Sequence, residues 1–290
     1  MDLSPTLQKQ LLEYQRNEIT EHYVYLNLAK KAKSLENRQV LEQIAQEELH
    51  HYHTFKKYTQ KEVAPDRFKI QKYYWISRIF GLTFGVKLME NGEEKAQENY
   101  EQLSEAIPQI NTIMQEENEH EHVLLELIDE ERLNYIGSVV LGLNDALVEL
   151  TGALAGFTLA LQNTQLIALT GLVTGIAAAL SMAASEYLST KSEGQGKDPV
   201  RASFYTGVAY ILTVILLILP YLLFTNYYFC LGCTLAISVV IIAFFNYYLS
   251  VAQGTPFTSR FLEMVGLSFG IAGFSFFIGF LMRLLFGIEV

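Results

Sequence analysis

The sequence predicts an all-α protein of two parts, a helical bundle over residues 1–133 and a transmembrane domain over residues 134–290. Charge divides the chain at this point, because residues 1–133 hold 24 of the 31 acidic residues and 16 of the 21 lysines and arginines. The second part consists mostly of long apolar runs. A charged part followed by an apolar part predicts two surroundings, water for the first and lipid for the second.

The first part contains four segments with apolar residues at helical spacing. Pro65 follows the second segment, and Pro108 stands where a helix-opening proline is expected. The four predicted helices cover about residues 7–32, 38–61, 68–107 and 108–132. Short connections between them predict a four-helix bundle.

The second part contains five apolar segments, each long enough to cross about 30 Å of hydrocarbon. They cover about residues 135–162, 165–189, 203–224, 227–251 and 261–287. Five spans predict an integral, multi-pass membrane protein with a five-helix transmembrane domain.

Basic residues in the short loops indicate the orientation, because Lys and Arg mark the cytoplasmic side. The loops after the second and fourth spans hold Lys191, Lys197, Arg201 and Arg260. The loops near Asn163 and Asn226 hold no Lys or Arg, and the N-terminus lacks the apolar core of a signal peptide. We therefore expect a cytoplasmic first part and a C-terminus on the outer side.

The net charge indicates which classes of partner the protein can bind. A net charge of −10 disfavours nucleic acid and favours cations. All six histidines lie in the first part, at His22, His50, His51, His53, His120 and His122. Only two cysteines occur, Cys230 and Cys233, so no disulfide framework is implied.

An internal repeat carries the strongest chemical signal. Residues 44–53 (IAQEELHHYH) and 113–122 (IMQEENEHEH) both follow the pattern I-x-Q-E-E-x-x-H-x-H. Glu18 and Glu93 form a second matched pair, because each stands seven residues before a tyrosine. One element of this pattern lies on each predicted helix of the bundle.

The repeat predicts a metal centre, because residues three apart in a helix share a face. Each Glu-x-x-His then presents one carboxylate and one imidazole to the bundle interior, and glutamates from the other two helices complete a di-iron or di-manganese carboxylate pattern. The predicted ligands are Glu18, Glu48, His51, Glu93, Glu117 and His120. Oxygen and imidazole ligands suit Fe, Mn or Zn.

The register of the motif leaves an alternative. Glu47 and His50 also form a Glu-x-x-His, but the repeat places Glu116 and Glu119 at the corresponding positions, so symmetry favours Glu48 and His51. We expect His53 and His122 to be surface or supporting groups, and His22 to be solvated.

These ligands resemble those of the rubrerythrin and ferritin-like superfamily, over nearly all of residues 6–132. The resemblance implies a ferritin-like fold with a di-iron site. Rubrerythrins usually carry a Cys-rich rubredoxin module as well, and this chain has none.

Acidic residues in the membrane spans form the second candidate site. Asp145 and Glu149 stand four residues apart in the first span, and Met182 and Glu186 stand four apart in the second. A carboxylate inside a membrane is costly and indicates function, and a thioether beside carboxylates suits a transition metal. The alternative places the two acids of the first span at the cytoplasmic interface.

Small residues in the spans have a plainer interpretation. Gly152 with Gly156, and Gly171 with Gly175, form G-x-x-x-G pairs that favour close helix packing. Packing is also the favoured interpretation of the cysteine pair in the fourth span.

Residues 135–193 resemble the vacuolar iron transporter family, through the segments GLNDALVELTGALAG and ALSMAASEYLSTKSE. The resemblance implies a homodimeric, proton-coupled exporter of Fe²⁺ and related ions, with Asp145, Met182 and Glu186 as transport residues. An acidic residue that some members carry within the second span is replaced here by Thr174, and Glu149 is expected to substitute for it. The loop after that span is short, where many eukaryotic members have a metal-binding helical insert. The whole layout resembles the membrane-bound ferritin group.

We therefore expect an exporter of Fe²⁺ or Mn²⁺ from the cytosol, driven by protons and supplied by the metal-binding bundle. Its partners are membrane lipid, the transported ions and a second copy of the chain. An alternative is a membrane-tethered di-iron oxidase or peroxidase, and a third is a bundle that only senses metal. The intramembrane acids favour transport, because a tether does not need them.

Overall fold

The computed structural model describes residues 5–32, 34–97, 107, 109–127, 135–194 and 196–286, and for residues 6, 90–97, 118, 121–123, 125–127 and 286 it describes the backbone alone. Within these ranges every regular element is an α-helix, and there are ten. The chain divides into two compact units, Met1–Glu130 and Glu131–Val290. Each unit has its own hydrophobic core.

The N-terminal unit contains five helices in its described part. They are α1 (Pro5–Ala29), α2 (Leu35–Thr59), α3 (Arg67–Phe80), α4 (Leu82–Gln97) and α5 (Ile110–Leu127). Side-chain caps begin two of them: the Ser34 hydroxyl accepts from an α2 amide, and the Asp66 carboxylate accepts from two amides of α3. Helix α1 packs along α2, α3 packs against α1 and α4, and α5 packs against α2 and α4.

The prediction of one helix over residues 68–107 is wrong, because the helix ends at Phe80 and Gly81 follows as its C-cap. Gly81 has φ 103°, a left-handed value that favours glycine. Helix α4 then begins at once and passes so close to α3 that a Cβ on Gly85 would lie 1.8 Å from the Ser77 hydroxyl oxygen. The predicted continuation over residues 98–106 lies outside the described residues.

Two hydrophobic clusters fill the N-terminal unit, and a polar layer lies between them along three helices. The first cluster includes Tyr25 of α1, Leu41 of α2 and Leu124 of α5. The second includes Leu11, Phe55 and Ile110 of the same three helices. Glutamate and histidine side chains occupy the turns between these clusters, so the unit buries a polar site inside an apolar core.

The second unit consists of five long helices, which confirm the five predicted spans. They are α6 (Ile136–Leu161), α7 (Thr164–Glu193), α8 (Pro199–Leu223), α9 (Tyr227–Gln253) and α10 (Phe257–Phe286). All five are long and apolar enough to cross a membrane. Helix α6 packs against each of the other four.

Glycines allow the closest helix contacts in this unit. A Cβ on Gly279 of α10 would lie 2.4 Å from the Gly156 carbonyl oxygen of α6. A Cβ on Gly175 would lie 2.7 Å from Val214, so the second G-x-x-x-G pair also lies at a helix contact. These contacts confirm the predicted packing role of the glycine pairs.

Large apolar side chains cover the outside of the spans, as expected of a surface in lipid. Leu212 of α8 and Phe274 of α10 are two of many exposed examples. Both cysteines are free, and the Cys230 thiol is buried, where it donates to the Pro220 carbonyl oxygen at 3.3 Å. The chain is an integral membrane protein.

Candidate metal centre

The polar layer of the N-terminal unit brings together five of the six side chains that the repeat predicts as ligands. Helix α1 contributes Glu18, α2 contributes Glu48 and His51, and α5 contributes Glu117 and His120. Each is at most 6% exposed. Because buried charged groups are paired or coordinate metals, the burial of these side chains indicates a specific set of partners.

Four of these side chains converge on one point. The His51 Nδ1 atom lies 3.0 Å from Glu117 Oε1, 3.4 Å from Glu18 Oε2 and 3.6 Å from Glu48 Oε2. One ligand atom from each of the four lies within 4.8 Å of all the others. Since metal–ligand bonds to such atoms are about 2.0–2.2 Å long, two ligands of one ion are separated by up to roughly twice that length, and the four can hold a metal after a small contraction.

His120 lies beside this group and contacts the same two glutamates. Its Nδ1 atom is 3.4 Å from Glu48 Oε1 and 3.9 Å from Glu117 Oε2. The two imidazole rings are 6.0 Å apart between centroids and 27° from parallel. Each of the two glutamates therefore points one carboxylate oxygen toward each histidine.

The outer nitrogens of both histidines contact glutamates that the sequence analysis did not assign to the site. His51 Nε2 donates to Glu116 Oε2 at 2.8 Å, and His120 Nε2 donates to Glu47 Oε2 at 2.5 Å. Each of these hydrogen bonds joins the two copies of the repeat. Helix α2 supplies the acceptor for the α5 histidine, and α5 supplies the acceptor for the α2 histidine. A carboxylate on the outer nitrogen orients an imidazole and leaves its other nitrogen for a metal.

Unsatisfied atoms support a fit to a metal. Glu18 Oε2, Glu48 Oε2, His51 Nδ1 and His120 Nδ1 are buried without a hydrogen-bond partner. Buried polar atoms are nearly always paired, so a cluster of orphaned ligand atoms aimed at one interior indicates an ion. The donor set of carboxylate oxygens and imidazole nitrogens suits Fe, Mn or Zn.

Mutual contacts set the charge of the metal-free site. Burial raises the pKa of Glu18 well above its usual range, and it also raises the pKa of Glu117. Burial acts in the same direction on Glu48, but contacts with His120, His51 and Glu18 outweigh it and lower the pKa of Glu48 to about 2. Burial lowers the pKa of both histidines, but the surrounding glutamates raise that of His51 well above its usual value and that of His120 to about 9.

The side chain of His122 lies outside the described residues, and those of His22, His50 and His53 are described. His50 and His53 are exposed, as is usual for surface histidines. The prediction that His22 is solvated is wrong, because His22 is buried with Nδ1 2.5 Å from the Ala45 carbonyl oxygen. It stands one turn after Glu18 and therefore shares the buried face of α1. Glu93 lies in α4, and its side chain is outside the described residues.

The membrane unit places the predicted transport residues on two packed helices, α6 and α7. Glu149 Oε2 of α6 accepts a hydrogen bond from the Tyr210 hydroxyl of α8 at 3.0 Å. Glu186 Oε1 of α7 accepts one from the Ser138 hydroxyl of α6 at 2.5 Å. The Tyr210 and Ser138 partners are both buried, and the sequence analysis did not identify either.

Asp145 and Met182 occupy different surroundings. Asp145 is half-buried one turn before Glu149, and Met182 packs against the core of the membrane unit. Among the described residues, three or more acidic, histidine or cysteine ligands converge in the N-terminal unit, and the acids of α6 and α7 form no second cluster of that kind.

Comparison with known proteins bears on the membrane unit. Residues 136–198 match the VIT family. The match begins at α6 and ends just before α8, so it includes Asp145, Glu149, Met182 and Glu186. No curated protein matches the chain. A match to this family, together with five membrane-capable helices, suggests a membrane transporter of divalent metal ions.

Proposed function

We propose that this protein exports Fe²⁺ or Mn²⁺ from the cytosol in exchange for protons, and that its N-terminal unit holds a di-metal centre. The family match at residues 136–198 supports transport. The arrangement of Glu48 and Glu117 between two histidines is the single observation that supports the di-metal centre.

Two groups of ligand atoms in the N-terminal unit support two metal positions. His51, Glu18, Glu48 and Glu117 would hold one metal, because these carboxylates lie around His51 Nδ1. His120 would hold a second metal together with the other oxygens of Glu48 and Glu117. Two carboxylates that each face two imidazoles are suited to bridge a pair of metals. Glu93 is proposed as the further carboxylate ligand, from the repeat alone.

The membrane unit supplies the proposed exchange chemistry. Asp145 and Glu149 stand one turn apart on α6, where two ionised carboxylates in a medium of low dielectric constant repel each other. Either a divalent cation or a proton relieves this repulsion, so the same acids hold metal or protons but not both. The Tyr210 hydroxyl stabilises ionised Glu149 by donating to it. Met182 and Glu186 of the adjacent helix are proposed to offer further ligands to the passing ion.

The proposed orientation is cytoplasmic for the N-terminal unit and external for the C-terminus, from the basic loops at 190–201 and 252–260. The N-terminal unit then captures cytosolic metal. Glu149 is exposed on the isolated chain although it lies in a membrane span, which supports a homodimer in which a second copy covers it.

Metal flux is the decisive experiment. The full-length protein is reconstituted in proteoliposomes, and Fe²⁺ or Mn²⁺ movement is followed with an entrapped metal-sensitive dye, with and without a pH gradient. If the protein exchanges metal for protons, the pH gradient should accelerate the metal flux, and proton movement should accompany it. Flux no greater than in empty liposomes for both ions overturns the proposal.

A second function, oxidation of Fe²⁺ by O₂ at the N-terminal centre, is favoured by the burial of two imidazoles and three carboxylates in one layer. Iron bound there would supply the redox chemistry, and the glutamates and histidines would hold it away from solvent. Oxygen uptake after Fe²⁺ addition to the full-length protein tests this function separately from flux.

A further inference from the structure

Helix α3 presents an apolar stripe on its outer face. Phe68, Trp75 and Ile79 are 78%, 55% and 61% exposed, respectively. Their spacing places them on one side of the helix. The opposite side, at Ile70 and Ser77, is buried. The helix therefore has one buried face and one exposed apolar face.

Charge on α3 is opposite to that of its surroundings. The helix contains Arg67, Lys69, Lys72 and Arg78, all exposed, and no acidic residue. The rest of residues 1–133 holds 24 acidic residues against 12 lysines and arginines. By helical spacing, Lys72 lies on one side of the stripe, and Arg67 and Arg78 lie on the other. The exposed face of α3 is thus apolar along its middle and basic along both edges.

We propose that this face of α3 binds the surface of an anionic phospholipid bilayer. Aromatic and aliphatic side chains between basic residues are the pattern of helices that lie in the headgroup region. Tryptophan in particular favours that region, because its ring is apolar and its N–H is polar. Anionic lipids attract the basic edges and repel the acidic remainder of the unit, so charge selects this face.

Covalent attachment makes the binding effective even when it is weak. Only residues 128–135 separate α5 from α6, which begins the membrane spans. The chain therefore tethers the unit that contains α3 to the membrane spans, which raises its local concentration at the bilayer. The proposal does not depend on the metal centre or on transport.

Trp75 provides a direct test, because it is the only tryptophan in the chain. The full-length protein is placed in nanodiscs of phosphatidylcholine, with or without phosphatidylglycerol, and with ordinary or brominated acyl chains. We expect brominated lipid to quench Trp75 fluorescence strongly when phosphatidylglycerol is present, and less in phosphatidylcholine alone or at high salt.

Charge reversal supplies the matched comparison. Since each basic residue near an anionic surface contributes about fivefold to binding, K72E with R78E should abolish most of the quenching. K57E with K61E makes the same change of charge at exposed positions outside α3 and should leave the quenching intact. Circular dichroism and size-exclusion chromatography establish that both variants fold.

Three results would overturn the proposal. If acrylamide quenches Trp75 and brominated lipid in anionic nanodiscs does not, the helix is solvated. Quenching that is equal in both lipids and insensitive to K72E with R78E excludes charge selection. A blue-shifted emission that depends on protein concentration, without quenching by lipid, shows that protein covers the face instead.

Discussion

His51 of α2 and Glu116 of α5 are joined by a hydrogen bond of 2.8 Å from the imidazole Nε2 atom to the carboxylate. The residues are 65 positions apart in the chain, and each belongs to a different copy of the repeat. The bond leaves the Nδ1 atom facing three buried carboxylates. Its counterpart joins His120 to Glu47, so the two motifs support each other's histidines.

Replacing Glu116 by Gln should weaken metal binding by about tenfold or more without changing the number of ions bound, because supporting carboxylates orient ligands and raise their basicity. Competition with a chromophoric chelator measures the affinity of the full-length protein. Glu119→Gln is the control, since Glu119 is an exposed acid on the same helix. Equal affinities for the two variants would contradict a supporting role for Glu116.

Replacing Glu48 and Glu117 by Ala should remove most metal binding at the N-terminal unit, because both carboxylates contact both histidines. Replacing the exposed His53 by Ala should leave binding unchanged. Elemental analysis of the purified full-length variants gives the metal-to-protein ratio. An unchanged ratio in the double variant would show that the ions bind elsewhere.

Metal affinity should rise with pH through about 9, because the pKa of His120 is raised from 6.5 to about 9 and a metal must displace its proton. The stability of the metal-free protein should change in the opposite direction. Protonated His120 stabilises the folded state fully below about pH 6.5, and this contribution disappears as the pH rises through about 9. Calorimetry in buffers with different ionisation enthalpies measures proton release, and a binding heat that is the same in all buffers would contradict it.

Replacing Asp145 by Asn should abolish metal flux and leave the N-terminal metal content unchanged. Asparagine keeps the shape of the side chain, but it carries no negative charge and cannot bind and release a proton as a carboxylate does. Proteoliposome flux and elemental analysis measure the two properties separately. Glu193→Gln, at the exposed end of α7, is the control and should transport normally. Proton-coupled flux near the normal rate in the Asp145 variant would exclude Asp145 as a transport residue and favour the tethered oxidase.

Loops on opposite sides of the membrane should differ in their access to an external reagent. Single cysteines near Lys197 and Asn163, in a variant with Cys230 and Cys233 replaced by Ser, should react differently with a membrane-impermeant thiol reagent applied outside. We expect labelling at 163 and none at 197, because the loop near 197 carries the basic residues. The opposite result would invert the proposed orientation.

The ligand faces and the spans were predictable because they depend on local spacing. Glu48 and His51 stand three apart in a helix, so they share a face whatever the helix packs against. Each span likewise needs only a long apolar run, and the boundaries observed for α6 through α10 lie within a few residues of those predicted. Periodicity and composition are properties of a segment by itself.

The tertiary structure decided what depends on contacts between distant segments. The break at Gly81 was not predicted, because a glycine within a helical pattern does not always end the helix. Here Gly81 has a left-handed φ, and α4 turns so that Gly85 lies directly against Ser77 of α3. The sequence offered Glu47 only as an alternative partner of His50, and it gave no role to Glu116. The hydrogen bonds from His51 to Glu116 and from His120 to Glu47 form only because α2 and α5 pack together. Those bonds set which imidazole nitrogen faces the centre.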